Sequence, residues 1–192
     1  MQTEIYQPVL DALRNFGVSP DAAEHYAKQV TLRKYEAKRH VFSEGDRQPA
    51  IAFVRRGYMR MYVTDGEGDV STRLLAGPGQ FIGCIVNTLY DSPAQYTAEC
   101  ITDCELIVVN KNVVDSAKGS PSSRVVLQDI ILQYLVSMMQ EKAVMLPMKA
   151  TDRYLFFRDR YPELMERIPA GIIANYIGVR PQSLSRIKQM LK

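Results

Sequence analysis

A chain of 192 residues with 46 % hydrophobic content can bury a substantial core in one or two domains, and it holds no run of about 18 uninterrupted apolar residues to span a membrane. The net charge of +3 is too small to single out a partner. Cys84, Cys100 and Cys104 are an odd set that fits a reducing cytoplasm better than a disulfide framework. The opening MQTEIYQPVLDALRNFG lacks the basic-then-apolar order of a secretion signal, so a cytoplasmic location is expected.

In chain order, residues 1–35 read as helical, with Ser19 as a helix cap and Pro20 in the first turn. Residues 36–115 change period. Short β-rich runs alternate with turns at Gly57, Asp65, Gly66, Gly68, Gly77, Pro78, Gly79 and Gly83. YTAECI and CELIVVN add two strands around a turn at Thr102 and Asp103, and the whole suggests a small β-barrel or sandwich.

Nothing breaks a helix over 121–146, about 26 residues or roughly 39 Å, and Pro147 ends it. Val126, Ile130, Leu135, Met138 and Met145 belong to an apolar set too wide for one stripe. One face can cover the barrel while another meets a second copy of the helix, which predicts a homodimer. In the last quarter Thr151 is expected to cap a helix that Pro162 interrupts.

Charge is uneven. Residues 1–144 carry 15 Lys/Arg against 17 Asp/Glu, and residues 145–192 carry 9 against 4. From Ile168 onward Arg180, Arg186, Lys188 and Lys192 stand with no acidic residue, which suits a polyanion.

IANYIGVRPQSLSRIKQMLK, the last stretch, meets the steric demands of a helix-turn-helix. Starting the motif at Ala170, Ile173 and Ile177 are apolar, Ala174 is small where the helices touch, and Gly178 tolerates the turn's positive φ. Val179, Leu184 and Ile187 should face inward, and Pro181 suits the first turn of the second helix. The outward face then holds Gln182, Ser185 and Arg186, residue types that contact base edges. Arg180, Ser183 and Lys188 are expected to contact phosphates of double-stranded DNA.

The combination resembles the Crp/Fnr transcription regulators. IANYIGVRPQSLSRI is similar to their DNA-reading segment. FSEGD, VRRGYMRMYV and LLAGPGQFIG resemble the glycine-marked turns of their cyclic nucleotide-binding-like domain, and TDRYLFFRDRYPEL the helix joining the two domains. The resemblance covers about residues 30–192 and implies an α+β fold. It predicts N-terminal helices and a β-roll in 1–120, a dimerisation helix in 121–146 and a helix-turn-helix domain in 147–192. It implies a homodimer on a near-palindromic operator and contact with RNA polymerase. Such regulators often carry a β-hairpin after the recognition helix. The sequence ends at Lys192 without one, so its phosphate contacts are expected to come from elsewhere.

The resemblance also frames the effector. Cyclic nucleotide binders of the family use a Gly-Glu pair for the ribose and an Arg-Ser/Thr-Ala run for the phosphate. Here Gly83 is followed by Cys84 and Ile85, and Tyr96 precedes Thr97 and Ala98, so Cys84 replaces the glutamate and Tyr96 the arginine. A gapless count back from Thr151 puts the purine-contacting pair at Met138 and Met139. An unpaired buried phosphate costs roughly 3–5 kcal/mol, and an unpaired hydroxyl about 1–3 kcal/mol more. Cyclic AMP control is therefore not expected. These eight positions form a degenerate pocket, either filled by the protein or shaped for another small molecule.

Neither an iron–sulfur centre nor haem is expected, because the three cysteines are not clustered and His25 and His40 lie apart. A cupin-like metalloenzyme lacks the same ligands, and no nucleophile elbow, phosphate loop or HExxH occurs, so no metal, no cofactor and no enzyme activity is expected. Arg55, Arg56 and the Asp65–Asp69 stretch read as strand and hairpin charges. Redox sensing by Cys84 or by Cys100 with Cys104 is the weaker reading of the thiols. The competing class is a sensor or protein-interaction module that uses the same β-roll without DNA.

Overall fold

The computed structural model describes residues 2–15, 17–47 and 51–191. The side chains at 2–5, 86, 122, 126, 129, 130, 133 and 137 fall outside that description, as do Lys192 and thus the expectations placed on Val126, Ile130 and Lys192. Helices α1 (Gln2–Asn15) and α2 (Pro20–Ala27) open the chain, with the Ser19 hydroxyl accepting from the Ala22 N–H at 3.4 Å. The expected helical region then gives way early. Residues 31–35 form strand β1 (Thr31–Tyr35), whose β-branched and aromatic ends pair with a later strand instead of extending α2.

Strands β2 (His40–Phe42), β3 (Ile51–Arg56), β4 (Met59–Thr64), β5 (Val70–Ala76) and β6 (Phe81–Gly83) follow. A short helix α3 (Ile85–Tyr90) precedes β7 (Thr97–Cys100) and β8 (Cys104–Val109). The strands form two antiparallel sheets, in the orders β1-β8-β3-β6 and β2-β7-β4-β5. Their inner faces enclose one core of Phe42, Val54, Met59, Met61, Ile82, Leu106 and Val108, with Cys84, Cys100 and Cys104 inside it. Met59 and Met61 alternate with Arg60 and Tyr62 along β4 and set which side faces that core, whereas the apolar run of β8 is covered on both faces.

Gly57 is required by geometry. Its φ is +91°, and a Cβ there would stand 2.3 Å from the Asp103 carbonyl oxygen and 2.7 Å from Cys104 Sγ. Asp65 builds the β4–β5 hairpin by accepting from the Glu67 and Asp69 N–H groups at 3.0 and 2.9 Å. Arg55 pairs with Glu105 across the sheet, so this arginine is a partner and not merely a solvated charge.

Helix α4 (Lys111–Gly119) leads into the long α5 (Pro121–Met145), which starts with Pro121 in its first turn. Then come α6 (Ala150–Arg160), α7 (Pro162–Met165), α8 (Ala170–Tyr176) and α9 (Pro181–Met190). The cap of α6 is Lys149, with Thr151 already inside the helix, so the expected Thr151 cap does not form. Tyr154, Phe157, Leu164, Ile173, Ala174, Ile177, Leu184 and Ile187 form the C-terminal core. Tyr58 and Leu75 of the β-roll join it, which ties the helical end to the strands.

Candidate nucleic-acid interface and effector pocket

Helices α8 and α9 meet across a turn whose Gly178 has φ +69°. Ile173 and Ala174 are fully buried, Ile177 and Leu184 are 1 % exposed, and Ile187 is buried with them, while Val179 is half-buried. The Val179 N–H donates to the Ala174 carbonyl at 2.9 Å and closes the turn. Small and apolar residues at these points let the two helices touch, which leaves the opposite side of α9 unpacked. Gln182, Ser183, Ser185, Arg186 and Arg180 all lie on that exposed side. Lys188 is half-buried, its Nζ 6.0 Å from the Tyr154 ring centroid. The first-turn N–H groups of α9 follow Arg180, which makes no side-chain cap bond, so they present positive partial charge outward.

The β-roll members of the other set of expected residues are mostly covered. Gly83, Cys84, Ile85, Thr97 and Ala98 are all buried, and Tyr96 is half-buried against the roll's core. Burial pushes the Cys84 thiol up to about 11, offset in part by backbone hydrogen bonds at Gln95 and Tyr96. At neutral pH it is a protonated, space-filling group, the opposite of a reactive thiolate. Cys100 is held protonated by its shared hydrogen bond with Cys104 and by burial. Cys104 Sγ donates towards the Thr102 and Tyr58 carbonyls at 3.2 and 3.4 Å. Among the described residues, no group of three His, Cys, Asp or Glu side chains could hold a metal ion.

From α5, Tyr134 reaches this region, one helical turn before the counted Met138. Its hydroxyl oxygen is buried without a hydrogen bond of normal geometry, facing the Gly83 backbone, Cys84 and Tyr96. Burial is the first cause that holds the phenol above its usual range, and the neighbouring Cys84 and Tyr96 add to it. The Tyr134 ring packs with Ile85, Ile51 and Val114. Met138 is half-buried, and Met139 is 71 % exposed. Tyr134 escaped the sequence reading, although a lone tyrosine in the apolar run IILQYLV marks a polar tip entering a covered place. An apolar cavity of about 250 Å³ between α1, α2, α4 and α5 shares none of the eight expected positions.

The expected fold is present. Residues 32–117 match the cyclic nucleotide-binding domain family. The chain is similar to the solved structure of FixK2 from Bradyrhizobium japonicum, at 18 % identity over 84 % of each chain with a TM-score of 0.73. It is similar to the c-di-GMP-responsive global regulator CLP of Xanthomonas campestris, at 18 % identity over 90 % of this chain and 91 % of that one, TM-score 0.68. The catabolite activator protein of Thermus thermophilus matches at 19 % identity over 91 % of this chain and 84 % of that one, TM-score 0.56. No curated protein matches the sequence. Together these define a class, a β-roll of the cyclic nucleotide-binding type followed by C-terminal helices. Within that class the fold is that of the Crp/Fnr-type regulators. The neighbours are regulatory proteins, and no helix among the described residues is long and apolar enough to cross a membrane.

Proposed function

We propose that this chain is a DNA-binding transcription regulator of the Crp/Fnr type that binds a near-palindromic operator as a homodimer, without cyclic AMP. The observation that carries the reading is α9. Its inner side is held by Leu184 and Ile187, and its outer side offers Gln182, Ser185 and Arg186 in a stretch with no acidic residue from Ile168 to the end. Arginine and glutamine can each bond two atoms of a base edge, and Arg180 and Ser183 sit where phosphates approach a helix N-terminus. Lys188, set back against Tyr154, contributes charge at longer range.

The homodimer is supported by α5. Val125, Leu132, Val136 and Met139 are exposed by 41–71 % and fall within about 60° of one another on a helix of 3.6 residues per turn. A second copy of the same helix would cover that stripe. On this reading residues 1–120 are the effector domain, 121–146 the dimerisation helix and 147–192 the DNA-binding domain. Tyr134 supports a filled effector pocket. It brings a side chain from α5 to the Gly83 backbone, Cys84 and Tyr96, the contact that a ligand would otherwise make between that helix and the roll.

The test is selection from random DNA with the purified, ligand-free protein, followed by titration at two salt concentrations. The expected result is one enriched palindrome with a salt-dependent affinity. Salt-sensitive binding with no enriched sequence would overturn the sequence-specific, effector-free reading.

A further inference from the structure

Strand β5 ends its sheet, so on the side away from β4 its N–H and C=O groups have no strand partner. Asn175, on the first helix of the helix-turn-helix, occupies that side. Its Oδ1 accepts from the Thr72 N–H and its Nδ2 donates to the Val70 carbonyl. A primary amide carries one acceptor and donors at nearly the spacing of a peptide group, so it can engage an N–H and a C=O two residues apart as a further strand would. Aspartate lacks the donor, and leucine lacks both groups.

The next residue grips a different element. Tyr176 Oη donates to Glu141 Oε1 on α5, where Tyr161 Oη donates to the other carboxylate oxygen at 2.5 Å. Lys142 Nζ stands 3.9 Å over the Tyr176 ring. Two consecutive side chains of α8 therefore hold the β-roll and the long helix at once, while Ala174 and Ile177 hold α9.

Building on the DNA-binding reading, we propose that Asn175 is a positioning residue for operator recognition: its carboxamide docks α8 on the open edge of β5 and so fixes the direction of α9 relative to the rest of the subunit. Half-sites on DNA lie about one helical turn apart, and shifting one by a base pair moves it along the axis and around it together. A rigid docking makes the dimer intolerant of that shift. A helix-turn-helix without the β5 docking, held to α5 through Tyr176 alone, would follow it more readily. Asn175 touches no base in this account, so half-site preference belongs to Gln182, Ser185 and Arg186, and spacing preference to Asn175.

The experiment uses the full chain and the operator selected by the wild-type protein, rebuilt with its half-sites one base pair closer and one further apart. Asn175→Ala should keep the half-site sequence it selects while its preference for the native spacing falls by about fivefold or more, fivefold being the low end for loss of two hydrogen bonds. Asn175→Asp, which keeps the acceptor and sets a carboxylate against the Val70 carbonyl, should fall at least as far. Merely covering a strand edge would leave the spacing ratio unchanged in both variants, and that result overturns the proposal. Amide exchange in the wild type is independent of how the variants fold. The Thr72 N–H should be protected, and exchange at the rate of an open edge amide would equally overturn it. If the wild type enriches no DNA, the DNA-binding reading falls instead, and Thr72 exchange decides whether the docking exists.

Discussion

The exposed face of α9 and the closed end of the β-roll put groups of similar polarity in opposite settings. On α9, Gln182, Ser185 and Arg186 are exposed above a packed inner face. In the roll, Cys84, Tyr96 and Tyr134 meet one another, and the Tyr134 hydroxyl is buried without a normal hydrogen bond. The first arrangement costs little and leaves directional groups available to a ligand. The second gives up hydrogen bonding for volume, which suits a site that is filled. In this chain the open polar surface therefore lies on α9 and not at the end of the β-roll.

The sharpest way to break that contrast is to remove the α5 side chain set against the roll's end. Tyr134→Ala removes a ring packed on Ile85, Ile51 and Val114. It should destabilise the protein by about 3 kcal/mol, the low end for loss of a large aromatic, because the residue is only half-buried as a whole. Urea unfolding measures this. A loss under about 0.5 kcal/mol, the size of an ordinary surface change, would show that Tyr134 fills nothing.

The next effect is at the output end. Arg186→Ala should cost about 1–3 kcal/mol of operator affinity and relax preference at one base position, with unfolding stability unchanged. Unaltered affinity and base preference would mean that α9 presents a different face. Lys188→Ala should do less. It should weaken binding to all sequences alike and lower the slope of log affinity against log salt by less than the one unit or so of a full phosphate contact, since its ammonium is drawn towards Tyr154. Titration over a range of salt concentrations distinguishes the two substitutions.

The same contrast explains what was legible in the sequence. The helix-turn-helix is written in local terms: Ala174 where helices touch, Gly178 at a positive φ, and Ile173, Ile177, Leu184 and Ile187 at helical spacing, each decided within a few residues. The turns made a small barrel or sandwich legible, as at Gly57, whose missing side chain makes room for the Asp103 carbonyl, while the β-roll itself came from the family resemblance. Residues 31–35 were misjudged because β1 exists by pairing with β8, some seventy residues away, and nothing local to TLRKY announces that partner. Helix α3 was missed inside a region read as strands for a related reason: only six residues long, it is held by packing of Ile85 and by the Asn87 amide, which donates to the Pro93 carbonyl at 2.6 Å. Tyr134 and Asn175 escaped because their partners, Gly83 and Cys84 at the end of β6 for one and Val70 and Thr72 on β5 for the other, lie far away in sequence.

The smallest effect tests the filling most closely. Tyr134→Phe keeps the ring and removes only the hydroxyl, whose oxygen is buried without a normal hydrogen bond. If the phenol serves as bulk, removing an unsatisfied polar atom should leave stability within about 1 kcal/mol of the wild type or raise it slightly, and operator binding should not change. If the hydroxyl instead contacts Gly83 in a way that sets the roll's end against α5, the same change should weaken DNA binding without unfolding the protein. The two outcomes part on the operator titration alone. Equal affinity makes Tyr134 a plug, whereas a fall in affinity at constant stability makes it a link that joins the roll to α5 through one oxygen atom.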